Sequence, residues 1–357
     1  MPLMERPARA RDAGLACGGL PPGALNSIAD VPGVRVGHRT LAHGSIRTGV
    51  TAIVPHGGNI YRRKPVAAVH VLNGFGKSAG LVQVEELGAI ETPILLTNTL
   101  SVGTCCTALV RHAVAHNPDI GRETATVNPV VFECNDGYLN DIQALAVTEE
   151  DARAALLEAS SHVEAGSVGA GCGMSTFGFK GGIGTSSRRL SLTGQSFHLG
   201  VLVLSNFGRS GDLRLPDGRV VAPATADAGE NAPEKGSIIV VAATDVPLSD
   251  RQLKRIIRRS SVGLARLGSF WGHGSGDIAL GFTTANTLSH DEKAALVNHR
   301  MLNENRIDLL FEAMADATQE AVLDALVAAG SMTGRDGHRR PSLLDVLTSL
   351  PPLETSS

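Results

Sequence analysis

Apolar residues in this chain fall mostly into short runs separated by small and polar residues. Val50–Val54, Val66–Leu72, Ile94–Thr97, Leu199–Ser205, Ser237–Ala243 and Ile278–Thr283 are rich in β-branched side chains and bounded by Gly, Pro, Asn or Ser. That is the pattern of β-strands. Several of these runs are apolar at successive positions rather than at alternate ones, which predicts strands covered on both faces of a sheet. Between them lie segments of helical period with start signals. Thr148 precedes Glu149, Glu150 and Asp151 and an Ala/Leu run to about Ala159. Ser249 with Gln252 forms a capping-box pattern ahead of Leu253, Ile256, Ile257, Leu264 and Leu267. Ser289 with Glu292 repeats the device before Ala294–Leu296 and predicts another helix. Ser101–His116 reads as a helix that stops before Pro118. Two more helices are expected, from about Ile307 and over Gln319–Ala329.

Two stretches read as loops. Gly166–Ser187 is dense in glycine, and Gly208–Lys235 is rich in Gly, Pro, Asp and Ala. The second is long for a compact domain, which marks it as functional or mobile. Residues 1–25 carry Pro, Arg and Gly without periodicity and read as a loose arm. There is no internal repeat.

Composition narrows the function. The 357 residues suit two domains or one large one. Net charge −3 and an aromatic content of 3% argue against a nucleic-acid binder, which needs a basic stripe or stacking platforms. No apolar run reaches the roughly 18–20 residues of a membrane span. The first twenty residues lack the apolar stretch of a secretory signal. The five cysteines include the adjacent pair Cys105 and Cys106 and no CxxC, so neither a disulfide framework nor a zinc knuckle is indicated, and a reducing cytoplasm fits. Glycine is the outlier at 41 residues, above the usual share of about 7%.

Several motifs fall short of a known chemistry. Gly76-Lys77-Ser78 follows a strand like the end of a phosphate loop, but Val71 stands where the first glycine belongs. His112 and His116 share a helix face without a third metal ligand, and Ala113 stands where a zinc protease has Glu. Thr185, Ser186 and Ser187 offer hydroxyls for an oxyanion or for turns. The cluster from Glu133 to Asp141 fits Asx turns, a cation site or an ammonium pocket. No Ser–His–Asp arrangement follows from spacing. Ser237, behind small Gly236 and ahead of an apolar strand, is a candidate nucleophile, though Gly-Ser ahead of a strand is also an ordinary strand start.

Eight ordered segments change that balance: NSIADVPGVRVGH (Asn26–His38), ETPILLTNTLSVGT (Glu91–Thr104), ECNDGYLND (Glu133–Asp141), FKGGIGTSSR (Phe179–Arg188), VLVLSNFG (Val201–Gly208), GSIIVVAATDVPL (Gly236–Leu248), GHGSGD (Gly272–Asp277) and MTGRDG (Met332–Gly337). Together they resemble the β-aminopeptidase family, which includes the L-aminopeptidase/D-esterases. The resemblance implies an α/β fold, a four-layer α/β/β/α sandwich shared in outline with ornithine acetyltransferases. It implies one catalytic domain over 26–357, self-cleaved at Gly236–Ser237 into 26–236 and 237–357. Ser237 is then the nucleophile, Asn206 the oxyanion donor and Ser275 the hydroxyl that orients Ser237. Asp277 stands where relatives have Glu. Tyr138 assists at the acyl centre, and Glu133 pairs with the substrate ammonium. The substrates implied are short peptides, amino-acid amides or esters, with no cofactor or metal and a homotetrameric assembly. An acyltransferase of the ornithine type and a non-catalytic relative that keeps the fold are the alternatives.

Overall fold

The structure, a computed structural model, describes residues 8–224 and 235–349. Nine long strands are numbered here in chain order: β1 Arg35–His43, β2 Ile46–Val54, β3 Arg63–Gly74, β4 Ile94–Asn98, β5 Val130–Cys134, β6 Gly182–Leu192, β7 Gln195–Asn206, β8 Lys235–Thr244 and β9 Gly274–Ser289. The helices are α1 Leu81–Leu87, α2 Val102–His116, α3 Glu149–Leu157, α4 Asp250–Ile257, α5 Ser260–Arg266, α6 Asp308–Ala328 and α7 Leu343–Ser349. One sheet has the order β1-β2-β4-β5 and the other β3-β9-β8-β7-β6. All six strands expected from the apolar runs are present.

The doubly apolar strands explain the layering. In β8, Ile238, Val240 and Ala242 belong to the core shared with α4, α5 and α6. Ile239, Val241 and Ala243 face the opposite way, into the core between the two sheets with Ile94, Leu96, Val130 and Phe132. The outer face of the four-stranded sheet, through Val50, Ala52, Leu95 and Val131, packs on Cys105, Ala108 and Leu109 of α2 and on Ala152 and Ala155 of α3. The order helix, sheet, sheet, helix is the four-layer sandwich expected.

Two of the three caps read from the sequence form as expected. Thr148 and Ser249 each close a capping box, with Asp151 and Gln252 as their partners. Four expectations fail, each for a physical reason. Ser289 ends β9, and the stretch after it is not helical. There the Glu292 carboxylate accepts from Ala294 N at 2.8 Å, and Leu296 is 91% exposed. A short helix with no apolar face to bury is not stable. The helices expected from Ile307 and over Gln319–Ala329 are one helix, α6, whose polar Asp316, Thr318, Glu320 and Asp324 are buried rather than marking a break. Part of the expected loop 166–187 is strand β6. Its Thr185, Ser186 and Ser187 hydroxyls neither close turns nor face a ligand, but donate to Val201 O, Ala317 O and Asp30 Oδ2.

The last failure is the arm. From Ala8 to Leu25 it is docked, with Ala10, Leu15 and Cys17 buried. Arg11 forms two bonds to Glu320 at 2.7 and 2.9 Å, and Arg9 Nε lies 2.6 Å from Asp324. Acids buried on α6 need cations, and the arm supplies them. The expected loop Gly208–Lys235 lies partly outside the described residues.

Candidate active site

The site grows out of strand register. β8 lies between β7, antiparallel to it, and β9, parallel to it. Ser237 is opposite Asn206 on one side and Gly276 on the other, while Gly236 is opposite Ser275. Three segments far apart in the chain therefore meet at one end of the five-stranded sheet. Ser237, Asn206, Ser275 and Asp277 are all buried there.

Backbone conformation isolates the residue before the serine. Gly236 has φ +134°, and a Cβ there would lie 2.1 Å from the Asn206 carbonyl oxygen. No side chain fits, so glycine is required at this position by both dihedral and space. Ser237 Oγ donates to the Gly236 carbonyl at 2.7 Å and accepts from Gly276 N at 3.1 Å. A Cβ on Gly276 would lie 3.0 Å from that same Oγ, so the amide reaches the hydroxyl because no side chain intervenes.

The remaining groups are oriented by specific bonds. The Asn206 carboxamide is held at both ends, its Oδ1 accepting from Ser175 N at 2.8 Å and its Nδ2 donating to Asn135 O at 3.0 Å. An amide nitrogen has two hydrogens, so one remains for another acceptor. Ser275 Oγ donates to Asp277 Oδ1 at 2.7 Å, and Ile238 N donates to the same oxygen at 3.2 Å. The donor to Ser237 Oγ is thus the Gly276 amide, and the hydroxyl of Ser275 is directed at Asp277. On the facing sheet, Glu133 accepts from Lys77 N at 2.8 Å and from the Thr99 hydroxyl. Its neighbour Cys134 directs its thiol at the Ser237 carbonyl, 3.3 Å away, and burial pushes that thiol well above its ordinary pKa. It is therefore a neutral donor. Tyr138 stacks on His338 at 4.7 Å between ring centres and lies under the Arg340 guanidinium.

Five of the six side chains expected from the resemblance therefore surround the Gly236–Ser237 peptide or its immediate neighbours in the facing sheet. Tyr138 sits further along, in contact with the 338–340 segment. Thr99, Cys134, the Ser175 amide and the Gly276 amide were not singled out from the sequence. Thr99, Cys134 and Gly276 lie inside family-like segments, but only register shows which atom each directs at the site.

Elsewhere the motifs resolve simply. Gly76-Lys77-Ser78 is the turn leaving β3, and its amide serves Glu133. The His112 and His116 rings lie 4.4 Å apart between centres and tilted to each other, with His116 Nδ1 bonded to the His112 carbonyl. Among the described residues no group of three His, Cys, Asp or Glu is arranged to hold a metal, and no helix is long and apolar enough to cross a membrane.

Comparison with known proteins agrees with this geometry. The model of peptidase family S58 matches residues 26–340. A β-peptidyl aminopeptidase of Sphingosinicella microcystinivorans is 41% identical, with 92% of this chain and 88% of that protein covered. The solved β-aminopeptidase of a Burkholderia species superposes with a TM-score of 0.86 at 40% identity, over 97% of this chain and 100% of the other. The L-aminopeptidase D-Ala-esterase/amidase of Ochrobactrum anthropi, described as a prototype serine aminopeptidase with a variant Ntn-hydrolase fold, gives 0.86 at 37% identity, over 96% and 98%. The fold, the buried serine between Asn206 and Gly276, and these likenesses converge: the chain belongs to peptidase family S58 and is a serine-type aminopeptidase/amidase.

Proposed function

We propose that this chain cuts itself at Gly236–Ser237, and that the freed Ser237 then releases N-terminal residues from short peptides, amino-acid amides or esters. The observation that carries the reading is Ser237 Oγ resting 2.7 Å from the carbonyl oxygen of the residue before it, at a glycine no other residue can replace. In the first step Oγ attacks the Gly236 carbonyl carbon. The C–N bond to Ser237 breaks, the nitrogen takes up the hydroxyl proton, and an ester links Gly236 to Ser237 Oγ. Water hydrolyses the ester, leaving a carboxylate on Gly236 and both a hydroxyl and an α-amine on Ser237.

An α-amine has a pKa near about 7.7–8.0, so a useful fraction is neutral at pH 7 and accepts the proton of its own hydroxyl. No histidine is needed. Attack on the substrate carbonyl produces an oxyanion, for which the unused Asn206 N–H is the donor. Glu133 reads the substrate ammonium, Tyr138 assists at the acyl centre, and Ser275 with Asp277 fixes the start of β8 through Ile238 N. Because two of the relatives described above are named for β-peptides or β-amino acids, β-aminoacyl amides are the first substrates to try. Residues 26–357 act as one catalytic domain in this reading, processed into 26–236 and 237–357, assembled as a homotetramer in the cytoplasm without a metal or cofactor.

Intact mass spectrometry of the purified protein, followed by assay on α- and β-aminoacyl amides, tests the reading. Two fragments divided at Gly236–Ser237 and turnover lost in Ser237→Ala are expected. A single full-length species that still turns over substrate, or equal rates in Ser237→Ala, overturns it.

A further inference from the structure

We infer that Lys180, with Asp136 beside it, is a positioning residue that aims the Asn206 carboxamide at the reacting carbonyl. The inference rests on the reading above, in which Asn206 is the oxyanion donor. Lys180 is fully buried, where an ammonium is costly unless it is well bonded. Its Nζ donates to Gly171 O at 3.0 Å and to Gly181 O at 2.7 Å, and Gly181 N donates to Met174 O at 2.9 Å. These bonds close residues 171–181 into a loop around the ammonium. Ser175 lies inside that loop, and its amide is the group that orients Asn206 Oδ1. The flanking Thr176 hydroxyl meets Ser205 Oγ at 2.9 Å, and Phe177 N donates to Phe207 O, so the loop runs alongside the residues on both sides of Asn206.

Asp136 fixes the other end of the carboxamide. Asn135, whose carbonyl takes Asn206 Nδ2, directly precedes it. Asp136 is fully buried, accepts from Asn140 Nδ2 at 3.0 Å, and leaves its second carboxylate oxygen without a hydrogen bond. Its side chain packs on the loop at Gly173. Burial lowers the Lys180 pKa and raises that of Asp136, and each opposes the other's shift by its charge. A methionine would fill the volume of Lys180 without this electrostatic cost. What it would not do is hold two carbonyls from opposite ends of the loop in one place.

A double-mutant cycle on the processed enzyme tests this. Lys180→Met is expected to lower kcat by about tenfold or more with KM within about twofold, because only a transition-state contact is weakened. In an Asn206→Ala background, where the donor is already gone, the same substitution is expected to have no further effect on kcat. A general packing defect would lower both backgrounds alike, so equal losses overturn the inference, as does a Lys180→Met enzyme with full kcat. Should Lys180→Met not accumulate as folded protein, Asp136→Asn, which keeps the volume and removes the charge, is carried through the same cycle. A kcat loss confined to the Asn206 background supports the inference there too, and equal losses or full kcat overturn it. Ser237→Ala is run in parallel. If that variant keeps wild-type turnover, the nucleophile assignment has failed rather than the role of Lys180.

Discussion

Two buried polar clusters divide this molecule's chemistry between them. One joins the arm, β6 and α6. There Glu320 is bonded by Arg11, Arg188 and Asn26, with Arg188 and Glu320 both fully buried. The other surrounds Ser237, and its bonds come from hydroxyls, backbone amides and a carboxamide. In the first cluster guanidinium groups neutralise the acid, which leaves a rigid bolt. In the second the bonds orient hydroxyls, amides and the Asp277 carboxylate, and leave a hydroxyl on a carbonyl. Burial of a polar group therefore does not mark a site by itself. What marks it is whether the partners cancel the group's charge or aim its reactivity.

Substitutions in each cluster should therefore separate rate from stability. The largest effect is expected at Ser237: Ser237→Ala should remain one 37.1 kDa chain and lose turnover by about 10⁴-fold or more, read by intact mass and amide hydrolysis. Asn206→Ala comes next, with kcat down about 10²–10³-fold in a folded protein. A loss confined to KM would erase the contrast between the clusters, because it would make Asn206 a simple binding contact.

Glu320→Gln should act the other way. Breaking a buried ion pair costs about 3–5 kcal/mol of stability, measured by urea denaturation, and the folded variant should keep its kcat. The pH dependence follows from the same bonds. Burial alone would raise the Glu320 pKa, but Arg11, Arg188 and Asn26 outweigh it and hold the carboxyl below its ordinary value of 4.5. A carboxyl with a depressed folded pKa stabilises fully above that ordinary value, and the contribution fades as pH falls through the folded one. The variant should thus lose stability at pH 7 and show a shallower acid limb below about pH 4.5. The smallest effect is expected outside both clusters: His112→Ala, and treatment with EDTA, should leave turnover unchanged. Loss of activity in His112→Ala would make the paired histidines a third functional region.

Local pattern was enough wherever it agrees with global packing. The six apolar runs became strands because each is buried between layers, and the capping boxes at Thr148 and Ser249 formed because they need only neighbours three residues away. Local pattern failed where a distant partner decides. The arm looked loose because nothing in residues 8–25 shows that α6 carries acids requiring its arginines. β6 looked like a loop because its glycines and hydroxyls resemble turn chemistry until β7 and α6 are placed beside it. The site was partly legible. Ser237 and Asn206 came from a family resemblance spread over eight segments. The Gly276 amide on Ser237 Oγ, the thiol of Cys134 on the Ser237 carbonyl and the two bonds on Asn206 are consequences of register, which single residues do not announce.

The Gly236–Ser237 bond is not in a dangling loop but at the head of β8, a strand with a neighbour on each side, paired from Ser237 to Thr244 on both. Severing it removes one covalent link and none of those ladders. A protease that nicks a surface loop leaves an end free to wander, whereas a nick here leaves an end already clamped. Cut as proposed, the two polypeptides would share one sheet, and neither would carry its own share of that core alone. Mixing 1–236 with 237–357 after making each alone should give aggregates rather than enzyme. Under the proposed cleavage, their partnership would be inherited from the single thread they came from.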